Sequence, residues 1–221
     1  MKGADVLRRV AILLASVTLL SVLLFSCDRN KSDINDMPQY TAPTAQAMDL
    51  SAVDISRYVA LGEYRDMVIT LASSEDKRSD AVWKRVVENA TVTEYPEQQV
   101  EYYLAQSRAK YEYIAKNRND TYENVISLLG VTEADMLNEA RALVREDLVF
   151  FALLKAESVT LSEEEKNNNF DRYVNKFVVD YGYTEAYVRE RMQSQICDAM
   201  LFDKMLERLI LINKFVVSQG E

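Results

Sequence analysis

The chain has 221 residues, 48% of them hydrophobic and 28% charged, with no histidine and a net charge of −9. An acidic surface repels phosphate backbones, which argues against nucleic acid as a partner. Without histidine, serine or cysteine nucleophiles lack their usual base, and the two cysteines have no neighbouring ligands for a metal site.

The first 26 residues have three zones. Lys2, Arg8 and Arg9 form a basic start, an uncharged run of 16 residues follows from Val10 to Phe25, and small Ser26 closes it. That order predicts a secretory signal peptide over residues 1–26. A membrane-spanning anchor is the alternative, and it needs about 20 apolar residues. Leu24-Phe25-Ser26-Cys27 also resembles a bacterial lipobox. The resemblance implies cleavage before Cys27 and a diacylglycerol on its sulfur, placing the protein outside the cytoplasm on a lipid anchor. Each buried methylene contributes about 0.8 kcal/mol, so two acyl chains hold where one is marginal. Cleavage would remove three basic groups and one acid, making the chain more acidic by two units. Cys197, inside a helical pattern, is expected to be a small buried apolar residue.

Residues 27–50 are polar, with Pro38 and Pro43 and no apolar period, and predict a tether. As a flexible coil it would span about 25 Å. Residues 51–95 predict a small segment with strands and one helix. Tyr58–Ala72 carries the strand signal, Val68, Ile69 and Thr70 after a turn at Gly62. "DAVWKRVVENA" predicts a short helix with Val82, Trp83 and Val86 on one side, and "TVTEY" a second extended piece.

From Pro96 to about Val217 the pattern is helical, giving a mainly α fold with a multi-helix unit over 96–217. Val100, Tyr103, Ser107, Tyr111 and Ile114 keep helical spacing to about Asn117. Asp120 with Glu123 predicts a capped short helix closed by Gly130. Thr132 with Asp135 opens a helix to about Ser158. Ser162 with Glu165 forms the clearest capping box, opening a helix that stops at Gly182. Thr184 is expected to cap one long last helix. Glu163 to Glu165 look like metal ligands or paired acids, but negative charge at a helix start is stabilising in itself.

No catalytic residues and no cofactor are predicted: the five glycines are scattered, so there is no phosphate loop. The unusual feature is 13 tyrosines and eight methionines. Adjacent pairs such as Tyr102 and Tyr103 cannot all face one core. Rigid amphipathic rings and pliable methionines suit promiscuous contact. Tyr103, Tyr111, Tyr173, Tyr181, Tyr187 and Met192 are therefore the candidate binding residues, expected to line a shared groove.

"YPEQQVEYYL", "LLGVTEADMLNEARALVREDLVFFALLKAESVTLSEEE" and "YGYTEAYVRERM", in that order, resemble the C-terminal domain of trigger factor, a bacterial folding chaperone. The secreted SurA-type chaperones share this helical architecture. The resemblance covers residues 83 to 217 and implies binding of unfolded or nascent secreted polypeptides without ATP. "DISRYVALGEYRDMVIT" looks like the segment before the isomerase domain of secreted relatives. Only 23 residues, Ser73 to Tyr95, then precede Pro96. A five-stranded isomerase domain needs about 25–30 residues in strands alone, so prolyl isomerase activity is a lesser expectation, and a structural lipoprotein with one dedicated partner is another. The Gly-Phe-Arg step of the family's ribosome-docking signature is not made by these glycines, and ribosome docking is not expected.

Overall fold

The computed structural model describes residues 45–73 and 77–218, apart from the Tyr181 side chain. Cys27, the signal-like stretch and the tether up to residue 44 lie outside the described residues. After a 3-10 turn at Ile55–Arg57 come β1 (Val59–Ala60), β2 (Val68–Leu71), α1 (Arg78–Asn89) and β3 (Thr91–Val92). The helices α2 (Glu97–Arg118), α3 (Tyr122–Leu128), α4 (Glu133–Glu157), α5 (Glu163–Tyr181), α6 (Glu185–Arg191) and α7 (Gln193–Leu211) follow, then β4 (Lys214–Val217). The fold is mainly helical, as the periodicity predicts.

Local chemistry explains most boundaries. Pro96 is the N-cap of α2, and Asn119 ends it in the left-handed region at φ 51°. The cap of α3 is Thr121, one residue later than the expected Asp120. Thr121 Oγ1 accepts the Asn124 N–H at 3.2 Å, while Asp120 accepts from Thr121 N–H and the Asn124 amide, both at 2.8 Å. Thr132 and Asp135 bond reciprocally at the start of α4. Ser162 and Glu165 complete the capping box of α5, and Gly182 closes that helix at φ 72°.

Two expectations are corrected at the far end. Thr184 caps only the short α6, which breaks at buried Met192 before α7 begins. The helix also stops at Leu211 rather than running to Val217, because Phe215-Val216-Val217 is a β-favouring run with a partner. β4 pairs in parallel with β2, Val68 opposite Lys214 and Leu71 opposite Val217. β1 pairs antiparallel with β3, so "TVTEY" contributes the extended piece anticipated for it. Between β1 and β2 the chain passes close to the end of α1. A Cβ at Gly62 would lie 2.2 Å from the Asn89 carbonyl oxygen, so this position tolerates only glycine.

Contacts divide the chain into two compact units. The first joins Leu50–Glu94 to the chain from Glu146 onward. Its core is Val82, Trp83 and Val86 of α1 with Leu148, Phe177 and Phe202 of the later helices. The Phe202 ring meets Trp83 edge-on at 4.9 Å and Phe150 at 5.6 Å. Glu157 closes this unit near the end of α4. Its side chain is 1% exposed and accepts from Arg208 Nε at 3.1 Å and from Arg65. Burial is the largest single influence and pushes its carboxyl up, but Arg208, Tyr64 and Arg65 together hold it below the ordinary range.

The second unit joins Tyr95–Arg145 to the described residues before Leu50. Tyr103, Leu104, Tyr111 and Ala115 form the buried stripe of α2, and Val125, Met136 and Val144 are buried on α3 and α4. Tyr122 donates to Glu133 at 2.7 Å, and Arg108 Nη2 reaches the other oxygen at 2.9 Å. Burial, then Glu133, pushes the Tyr122 hydroxyl up to about 12. Gln46 and Met48 bond to Gln98 and Gln99 at the start of α2.

Candidate functional site

Within the first unit, α5 and α7 and the first turn of α1 enclose an open cleft of about 490 Å³. Leu161, Met200, Leu206 and Ile210 give it apolar lining, while Glu165, Arg172, Asp203, Lys204 and Glu207 bring charge of both signs. The side chains project from matching faces because α5 starts at a fixed cap. Asn169 lies four residues after Glu165, and Arg172 and Tyr173 three and four after Asn169; on α7, Asp203 and Lys204 lie three and four after Met200, and Glu207 three after Lys204.

Most of the charges are already matched. Tyr173 donates to Asp203 Oδ2 at 2.6 Å, and Lys176 Nζ lies 3.7 Å from the same oxygen. Burial first, then Asp203, raises the Tyr173 hydroxyl above its ordinary range. Burial also lowers Lys176, against the pull of Asp203. Lys204 Nζ donates to Glu165 Oε1 at 2.5 Å and to the Thr160 carbonyl at 2.8 Å. Such a surface can hold a polypeptide by apolar and polar contact. Among the described residues no group of three or more Cys, Asp or Glu side chains could hold a metal ion.

Glu165 gives the cleft a pH dependence. Lys204 first, then the Ser162 backbone N–H, holds its carboxyl at about 2, below the ordinary 4.5. A depressed carboxylate adds stability above its unfolded value, and loses it as pH falls through the folded one. Glu165→Gln should therefore melt below wild type at pH 7, with the gap closing between about pH 4.5 and 2. A gap independent of pH across an acid titration of helix content would refute the assignment.

The six tyrosine and methionine candidates divide between the units. Tyr103 and Tyr111 are buried in the second, Tyr111 beneath Lys110 at 5.3 Å. Tyr173 and Met192 are buried in the first, Tyr173 also lining the cleft. Tyr187 is 50% exposed and stacks on Tyr183 at 5.5 Å with an 18° tilt. Tyr181 ends α5, and its side chain is not among those described. Cys197 is a free thiol, half-buried rather than fully buried.

The sequence pattern singled out none of the exposed aliphatic residues as a binding candidate: Val68, Val179, Leu211 and Val216 in the first unit, Leu128 and Leu129 in the second. Their signal was available for the helices. Val179 and Leu211 depart from the spacing of the buried stripes at Val174 and Phe177 and at Met205 and Leu209.

No protein-family model and no solved structure matches the chain. Among curated proteins it is similar to a trigger factor of Lachnoclostridium phytofermentans, 25% identical over 171 residues. The match takes in 73% of this chain and 40% of that protein, so the chain spans well under half the length of its curated relative. This supports a distant, trigger-factor-like relationship.

Proposed function

We propose that the protein is an extracytoplasmic chaperone, tethered to the membrane through a lipid on Cys27, that holds unfolded or newly translocated polypeptides without ATP. The observation that carries the reading is the similarity to trigger factor across 73% of the chain. A cleft with mixed apolar and charged lining and exposed aliphatic side chains on both units support it. Covering one exposed Val or Leu contributes about 1.5–3 kcal/mol. A few such contacts give binding that is weak and reversible, as a holding protein needs. Of the six candidates, Tyr187 presents an exposed ring to a client, and Val179 is exposed on the same unit.

The test is suppression of aggregation of a chemically unfolded, unrelated protein by the full chain. Sub-stoichiometric to stoichiometric protein should reduce light scattering, and Tyr187→Ser with Val179→Ser should weaken the effect at unchanged helix content. No suppression for several unrelated clients would defeat the reading, as would prolyl-peptide turnover by the full chain in place of holding. In cells, Cys27→Ala should move the protein out of the membrane fraction or leave it unprocessed. A processed mutant that stays membrane-bound would place the anchor elsewhere.

A further inference from the structure

β2 and β4 pair with each other and with no third strand among the described residues. The register decides which main-chain groups face outward. Lys214 N–H donates to Met67 O and Ser218 N–H to Leu71 O, both at 2.9 Å. Main-chain groups alternate in direction along a strand. Those of residues 214, 216 and 218 therefore turn toward β2, and those of Phe215 and Val217 turn outward.

Beyond the exposed Lys214 the strand is apolar, with Arg78 lying over the half-buried Phe215 ring at 5.5 Å. Val216 and Val217 are each 46% exposed, and Val68 on β2 is 62% exposed. Val68 and Thr70 share a face with their partners Lys214 and Val216, while Ile69 and Leu71 are buried on the other. Proteins ordinarily blunt such edges with charge, proline or a bulge. The run Phe215-Val216-Val217 has no charge and no proline, and its pairing with β2 is regular.

A row of main-chain donors and acceptors is complementary to another extended backbone, whatever that backbone's side chains. We propose that the outer edge of β4 takes up an extended segment of an unfolded polypeptide as a third strand. Phe215 and Val217 supply the main-chain bonds, and Val216 covers an apolar side chain of the guest. A second copy of this chain is the weaker occupant, since a net charge of −9 on each copy opposes self-association. The proposal rests on the reading that the protein holds unfolded polypeptides, and adds that part of the recognition is backbone-directed.

Two fluorescent ten-residue peptides of alternating valine and threonine serve as probes, one with every backbone amide N-methylated so that neither of its edges keeps a donor. The full chain should bind the unmethylated peptide at least tenfold more tightly, because methylation removes donors and leaves the side chains. Val217→Pro deletes an outward N–H that makes no bond to β2. It should abolish the preference while helix content and unfolding midpoint stay at wild-type values. Should that variant unfold, hydrogen exchange on the wild type decides: the Phe215 and Val217 amides should slow on adding the unmethylated peptide.

Equal binding of the two peptides, or unchanged exchange at both amides, would overturn the edge. If aggregation suppression persists in that case, the holding reading stands without it. If the wild type suppresses no aggregation, the holding reading fails and takes this proposal with it. A wild-type dimer that Val217→Pro converts to monomer would overturn the proposal in favour of a second copy.

Discussion

Trp83→Ala is expected to destabilise the protein by about 3–5 kcal/mol, the range for emptying a large aromatic site in a packed core. Trp83 is 2% exposed, and its ring meets Phe202 edge-on at 4.9 Å. Its indole N–H donates to Glu146 at 3.2 Å. The substitution thus removes apolar area, an aromatic pair and a hydrogen bond joining α1 to α4. Trp83→Phe keeps most of the first two and should cost about 1 kcal/mol, the lost bond. Denaturant unfolding followed by circular dichroism measures both, with the midpoint moving and the slope unchanged. An alanine variant within about 0.5 kcal/mol of wild type would mean that Trp83 is not central to this core.

Asn213→Ala should lose about 2–4 kcal/mol through an orphaned backbone rather than lost packing. The buried amide sits between α7 and β4 and serves three partners. Its Oδ1 accepts the Met67 N–H at 2.8 Å, and its Nδ2 donates to Tyr64 O at 3.0 Å and to Leu209 O at 2.8 Å. Alanine leaves all three groups without this partner, and the bonds to Met67 and Leu209 are buried. Asn213→Asp distinguishes this account from simple truncation. It keeps the acceptor for Met67 but aims a carboxylate at two carbonyls, so it should be at least as damaging at pH 7 and recover partly when protonated. The β2 amides that bond to β4 should exchange faster in both variants. Asn213→Asp as stable as wild type at neutral pH would sink the donor roles assigned to Nδ2.

These two sites differ in how visible they were. Trp83 stood in a short window with Val82 and Val86 on one side of a predicted helix, and all three are buried. Asn213 carried no signal, because its partners Tyr64 and Met67 are 149 and 146 residues away. The tyrosines show the same limit. Spacing placed Tyr103 and Tyr111 on one stripe of α2, and they are buried together on it. Spacing could not tell that stripe from an exposed one, nor foresee that Tyr187 would stack outward on Tyr183.

By itself the sequence determined the helical character of the chain and most helix starts and stops. Ser162 with Glu165, Thr132 with Asp135, and Gly182 act through bonds three or four residues long, so a short window contains all their physics. The tertiary structure alone decided that the chain after Leu211 turns into a strand on β2. It also decided that Glu157 is buried against arginines 92 and 51 residues away, and that Leu50–Glu94 joins the residues after Glu146 rather than those in between. A parallel pairing such as Val68 with Lys214 must overcome the entropy of closing a long loop. What offsets that entropy is burial contributed by α1, α4 and α7 together, and no local stretch of sequence contains that sum.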